Sequence, residues 1–267
     1  MFLCAIASGA SAQVRLSQIY GGGGNVGAIW ASDFVELYNA GPPQSLDGWS
    51  VQYASASGSS WQVTPLPALV LDTGRYLLIR QGSGSSLPAP QSLALPAADV
   101  VGTTFLSSSD GKVALCSSTT PLAGSAPSSP FLVDFVGYGP GASWNEPGAP
   151  FSAAQSAPSP SNTTAIARLG CGAQDSGLNA SDWSVVLPQP RNLGTPPSTG
   201  LSIPGMVQPW FAKPSSSVRI VCEPQACGVP PLPASLVVVV DLARIGGPVG
   251  APLNDNGVSG DEQSRPA

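Results

Sequence analysis

No stretch of ten or more residues in this chain spaces its apolar side chains at the 3.6-residue period of a helix, while short runs alternate at the period of a strand. VRLSQIY from Val14 is apolar with partial alternation. DFVELY sets Phe34, Glu36 and Tyr38 on one side and Val35 and Leu37 on the other. WSVQY sets Trp49, Val51 and Tyr53 against Ser50 and Gln52, and RYLLIR (75–80), GKVALC (111–116) and FLVDFVGY (131–138) add further β-branched or aromatic segments. NAGPPQSLDG, LDTGR and SSSDG lie between them and are rich in residues that supply positive φ or preset φ near about −65°. Short strands separated by close-set turns predict an all-β fold, an antiparallel β-sandwich rather than an α/β sheet.

Composition narrows the chemistry. The 267 residues include no His and only 10 Lys+Arg, and 9% are charged. The usual acid/base group of neutral pH is therefore missing, so catalysis would have to rest on carboxylates, Tyr or Cys. A net charge of −5 with scattered basic residues offers no stripe to neutralise a phosphate backbone, which argues against strong nucleic-acid binding. Arg15, Arg75, Arg80 and Arg168 would have to converge in space to change that.

The chain divides by composition. MFLCAIASGASA (1–12) has a short apolar run followed by small residues of the kind that precede signal-peptidase cleavage, with Gln13 as the mature start. No Lys or Arg precedes the run, so this reads as a truncated or atypical signal peptide, the alternatives being a bland disordered start or a gene-model artefact. Residues 13–194 hold the alternating segments, TPPSTG (195–200) is a linker, and 201–267 are Pro/Gly-rich. The last region is a fragment of a second β domain, an extra strand pair, or disordered chain. Its LVVVV run is far shorter than the roughly 18 apolar residues of a membrane-spanning helix, and no membrane association is expected.

Several motifs invite a functional reading. GGGGNVGA (21–28) leads to a strand and lacks the lysine and following helix of a phosphate loop, so its glycines are expected to let a loop fold back over the sheet, with Trp30 capping an apolar end. Asp33 and Glu36 are three apart, which on a strand sends them to opposite faces. Asp33 is expected to bond backbone at the loop end and Glu36 to pair with an Arg. Trp49 is expected in the core, and Trp61 less firmly so, because small polar residues precede it. Asp175, Asn179 and Asp182 in CGAQDSGLNASDW offer oxygen ligands for Ca²⁺, although a rigid Asx-rich turn accounts for the same residues and the spacing is not that of an EF-hand. Asn162-Thr163-Thr164 and Asn179-Ala180-Ser181 are N-glycosylation acceptors if the chain enters a eukaryotic secretory route. Outside the first twelve residues the cysteines are Cys116, Cys171, Cys222 and Cys227, which permit two disulfides in three pairings. Cys222 with Cys227 is the expected one, and Cys116 with Cys171 would tie distant parts of the domain.

The order and spacing of VRLSQIYGGGGNVGA, DFVELYNAG, SLDGWSVQYASASGSSWQV, GRYLLI, GKVALCSSTTPL, VDFVGYG, SNTTAIARLGCGAQDSGLNASDW and PQPRN resemble a lamin tail domain of the secreted bacterial and algal type. The resemblance covers about two thirds of the chain. It implies an immunoglobulin-like β-sandwich with no shared catalytic set and no cofactor. It also implies cysteine pairing near Ala126, Trp144 and Cys171, of which this chain keeps only the last. The expected function is a non-catalytic, secreted or cell-surface module that binds protein or glycan. The alternative is an accessory domain of a secreted nuclease or phosphatase whose catalytic part is absent.

Overall fold

Fourteen strands among the described residues of the first unit, most of them short, follow from the alternating segments and the turn residues between them. The computed structural model describes residues 13–84, 92–146, 149–150 and 154–196, together with the backbone of short strands between 200 and 252. The strands of the first unit (1–199) are β1 (Val14–Tyr20), β2 (Phe34–Asn39), β3 (Gln44–Ser45), β4 (Ser50–Ser55), β5 (Gln62–Pro65), β6 (Val70–Leu71), β7 (Tyr76–Arg80), β8 (Val100–Val101), β9 (Gly111–Cys116), β10 (Leu132–Tyr138), β11 (Trp144–Asn145), β12 (Ala149–Pro150), β13 (Ala165–Arg168) and β14 (Trp183–Val186). A 3-10 turn at Gly170–Gly172 and a single helical turn, α1 (Asn179–Asp182), sit between the last two strands. One turn of helix is too short to leave a periodic trace in the sequence.

The larger sheet runs β14-β13-β1-β2-β7-β8 and the smaller one β10-β9-β4-β5. All pairings within them are antiparallel except β7 with β8, where Ile79 lies opposite Val100. That parallel pair departs from the expected antiparallel order. The chain from Gln81 to Asp99 supplies the long crossover that a parallel neighbour requires.

One hydrophobic cluster is shared by the two sheets. Leu16, Ile19, Val35, Leu37, Leu77 and Ile79 enter it from the larger sheet, and Val51, Tyr53, Val113, Leu115, Val136 and Tyr138 from the smaller. Leu16 and Ile19 are an odd number of residues apart, yet both reach it. A β-bulge between Leu16 and Gln18 shifts the register of β1 and makes this geometry available. A second bulge lies between Leu132 and Asp134 in β10. On the other face of the larger sheet, Tyr20, Phe34 and Leu78 form a separate cluster against which Trp30 packs. Trp61 is buried with Ala114, Cys116 and Phe135 on the smaller sheet, and its indole donates to the Gly124 carbonyl at 3.0 Å. Trp49 is only half-buried at the margin of the shared cluster, so the two tryptophans exchange the ranks expected from sequence.

The cysteines require a correction. Cys116 is a free, buried thiol, so the Cys116–Cys171 disulfide does not form, and no pair of described cysteines lies at bonding distance. The reason is topological. Cys116 faces Trp61 and Phe135 on the smaller sheet, while the Cys171 carbonyl accepts from Tyr76 on the larger one. Burial pushes the Cys116 thiol up to about 12.

The second unit, residues 200–267, contains β15 (Gly200–Ser202), β16 (Gly205–Gln208), β17 (Arg219–Cys222), β18 (Gln225–Cys227), β19 (Val239–Val240) and β20 (Ala251–Pro252). They pair as β15 with β18, β16 with β17 and β19 with β20. Cys222 ends the β17 ladder opposite Gly205, and Cys227 ends the β18 ladder opposite Gly200. The expected Cys222–Cys227 bridge concerns side chains outside the described residues, as does the signal peptide expected at 1–12.

The four successive glycines, Gly21, Gly22, Gly23 and Gly24, each lie against backbone. A Cβ on Gly21 would lie 2.2 Å from the Ser107 carbonyl oxygen, and one on Gly23 would lie 2.0 Å from the Ser32 carbonyl carbon. These glycines serve close approach of chain to chain. Gly23→Ala is expected to lower stability by about 3 kcal/mol or to prevent folding, because no flexible side chain can yield. Gly48 has φ +74° with nothing within 4 Å. Its change to Ala is expected to cost only about 1 kcal/mol of backbone strain. Urea unfolding of the two variants measures the difference.

Candidate functional site

Three groups of buried ionisable side chains contain every acid singled out in the sequence. The first closes the glycine loop. Asp33 accepts the Gly23 amide at 2.8 Å on one oxygen and the Leu106 amide at 2.9 Å on the other. Burial is the larger influence on its carboxyl and pushes it up to about 7, with the two backbone donors opposing. Asp33 therefore bonds backbone at the end of the loop, as its place before β2 predicts.

The second group lies on the face of the larger sheet that carries Phe34 and Tyr38. Glu36 is fully buried, and Arg191 reaches it from the segment after β14. The Arg191 Nη2 donates to Oε1 at 2.7 Å, its Nε lies at 3.2 and 3.1 Å from the two oxygens, and its own amide donates to Oε2 at 2.7 Å. Ser17 adds a hydroxyl at 2.6 Å. The guanidinium also lies 3.8 Å from the centre of the Tyr76 ring. Arg191 is thus the Arg partner that Glu36 needs, and the two carboxylates Asp33 and Glu36 serve different elements.

The third group is the densest. Arg168, at the end of β13, meets Asp134 of β10 through two bonds of 2.8 Å from one nitrogen. Its Nη1 lies 3.6 Å from Asp175 Oδ1 and 3.9 Å from Asp182 Oδ2. Arg15 pairs with Asp175 at 3.3 Å and donates to the Ala173 carbonyl. Glu146 completes the set, and its carboxylate comes within 4.8 Å of those of Asp175 and Asp182. Burial, followed by the charge of Asp134, pushes the Glu146 carboxyl up to about 8, against the pull of Arg168. The Arg168 guanidinium also faces the Trp183 ring at 5.0 Å.

Asp175, Asn179 and Asp182 thus come together, but as parts of a scaffold. Asp182 accepts the Ser176 amide at 3.0 and 2.8 Å and fixes the turn before α1. Asn179 imitates a neighbouring strand. Its Nδ2 donates to the Phe135 carbonyl at 3.1 Å while its Oδ1 accepts the Gly137 amide at 3.0 Å. Glu146, Asp175 and Asp182 are the residues with the right oxygens for a hard cation. Arg168 Nη1 lies beside two of them, Asp175 and Asp182, so a cation there would compete with a guanidinium that carries bonds elsewhere.

Sequence reasoning missed Asp134, Glu146, Arg191 and Lys112. The signal existed for two of them, because Asp134 and Lys112 are charges set inside apolar strand segments, FLVDFVGY and GKVALC. Lys112 is buried, donates to the Gly58 and Ser125 carbonyls and to Ser143 Oγ at 2.7–2.9 Å, and lies 5.6 Å from the Trp61 ring centre. Burial lowers its ammonium. The four arginines weighed as a nucleic-acid surface do not form one. Arg15 and Arg168 converge on acids, Arg75 donates to the Leu193 and Thr195 carbonyls, and Arg80 alone of the four is exposed.

No protein-family model matches this chain, and no curated protein matches it significantly.

Two outcomes are expected. Arg168→Met leaves Asp134 buried without its partner and should cost about 3–5 kcal/mol in urea unfolding. Combining it with Asp134→Leu should not restore stability, because the Leu16 amide and carbonyl that the pair serves would then be unsatisfied. The second outcome concerns pH. Asp33 and Glu146 bind their protons more tightly in the folded chain than their ordinary values of 3.8 and 4.5. Between about pH 4 and pH 8 the folded chain holds protons that the unfolded chain has released, so these groups make stability fall as pH rises across that window. Glu146→Gln keeps an acceptor for Asn179 and should flatten the upper part of the fall, read from urea midpoints at each pH.

Proposed function

We propose that residues 13–194 form an immunoglobulin-like β-sandwich of the lamin tail domain type, acting as a non-catalytic, secreted or cell-surface module that binds protein or glycan. The order of the resembling segments supports this reading, as does the shared core between a six-stranded and a four-stranded sheet. The observation that carries the functional part is the use to which the ionisable side chains are put. Asp33, Glu36, Asp134, Asp175 and Asp182 are each bonded to backbone or arginine inside the fold. Catalytic carboxylates would face a cleft across which substrate fits. Exposed apolar side chains such as Phe105 and Phe131 provide contact surface of the kind a binding module uses. No helix among the described residues is long and apolar enough to cross a membrane.

The test is direct. Duplex DNA should bind more weakly than micromolar at physiological salt by fluorescence anisotropy, since few counterions can be released. Nuclease and phosphatase assays with Ca²⁺ and Mg²⁺ should give no turnover. Metal-dependent turnover that disappears in Asp175→Asn would overturn the reading, as would submicromolar DNA affinity.

A further inference from the structure

We propose that Asn162, and not Asn179, is the acceptor of an N-linked glycan when this chain passes through a secretory compartment containing an oligosaccharyl transferase. The inference rests on the secreted reading above. Both asparagines head an Asn-x-Ser/Thr triplet, and the fold treats them in opposite ways.

Asn162 lies half-buried on the surface bend before β13, followed by the exposed Thr163. Its Nδ2 donates one hydrogen to the Val26 carbonyl at 3.0 Å in an exposed contact, and its Oδ1 accepts from Asn25 at 3.2 Å. The hydroxyl of Thr164 meets Ser161 Oγ at 2.7 Å. In the transfer, the amide nitrogen bonds to the anomeric carbon of a sugar carried on a polyprenyl diphosphate. The carbon–oxygen bond to the diphosphate breaks, its electron pair leaves with the diphosphate, and one amide proton is released. The nitrogen keeps one hydrogen, which is all the Val26 contact uses. The carbonyl oxygen remains free to accept from Asn25. The sugar projects beside Val26, which is 69% exposed.

Asn179 is fully buried, and both of its amide hydrogens are engaged, with the Phe135 carbonyl at 3.1 Å and Glu146 Oε2 at 3.1 Å. Its oxygen accepts from the Gly137 and Glu146 amides at 3.0 and 3.3 Å. A sugar there would remove one of those hydrogens and occupy the space of β10. Transfer takes place on the unfolded chain, so a copy modified at Asn179 cannot close the edge of the smaller sheet. Such copies should be absent from folded material.

The experiment expresses the full chain in a eukaryotic secretory host, once with its own N-terminus and once behind a host leader. Folded protein from the medium and from the secretory lumen is treated with peptide N-glycosidase in ¹⁸O water and mapped by mass spectrometry. The expected result is occupancy at Asn162 and none at Asn179, lost altogether in Asn162→Gln. Folded protein from the leader-bearing chain with Asn162 unmodified, or with glycan on Asn179, overturns the proposal. Occupancy at Asn162 only in the leader-bearing chain supports the acceptor assignment while counting against residues 1–12 as a working signal peptide.

Discussion

Leu16 gives its amide to Asp134 at 2.7 Å and its carbonyl to Arg168 at 2.8 Å, and those two side chains grip each other. The arrangement follows from the bulge in β1. β1 and β13 are paired only at Gln18 and Ile19, which leaves Leu16 beyond that ladder while it stays opposite Leu37 of β2. An orphaned amide and carbonyl at a buried position would cost several kcal/mol between them. Arg168 and Asp134 replace the missing strand, one from the larger sheet and one from the smaller. The Leu16 side chain faces the shared cluster, so the same bulge that brings it inward creates the backbone demand that the ion pair meets.

The cluster around this clip explains how a chain with so few charges can bury several of them. Desolvating an ion is repaid only where geometry and additional bonds are good, and Arg168 has both. Asp134 neutralises it, Asp175 and Asp182 lie beside it, and the Trp183 ring covers one face. Glu146 is the member left with the weakest compensation, and its raised carboxyl reflects that. Arg191 with Glu36, and Lys112 with its carbonyls, repeat the principle at other places. Charge placed in this way fixes the relation of one segment to another and leaves little for attracting a polyanion.

The strands were legible because alternation and turn residues report local structure. β1, β9 and β10 match VRLSQIY, GKVALC and FLVDFVGY to within a residue. Glu36 could be assigned an Arg partner because a charge between Phe34 and Tyr38 on a strand needs one. Which Arg could not be read, since Glu36 and Arg191 are brought together by the path of the closing segment over the larger sheet. Asp175, Asn179 and Asp182 were legible as a neighbourhood but open in chemistry, because Asx residues in a loop suit cation binding and backbone capping equally well; in the structure Asp182 and Asn179 bond backbone, as a rigid Asx-rich turn predicts. The position of Arg168 beside Asp175 and Asp182 is held in no local pattern of the sequence. The Cys116–Cys171 pairing failed for a related reason: parity of number carries no information about which face of which sheet each residue occupies.

Asn179 also bears on which sheet edges are open to a further strand. β10 is an edge strand of the smaller sheet, and an unprotected edge invites a further strand. Here the Asn179 amide takes the Phe135 carbonyl and the Gly137 amide, and Ala157 pairs beyond them with the Gly137 carbonyl and the Gly139 amide. The opposite edge, β5, ends in Pro65, which has no amide to offer. On the larger sheet β8 is two residues long, and β14 runs within two residues into Pro188. Each edge is blocked, truncated or bounded by proline, so recognition by strand addition is disfavoured on both sheets. Two large apolar side chains that remain exposed, Phe105 and Phe131, lie on loops, while the buried charged residues hold the strands in place.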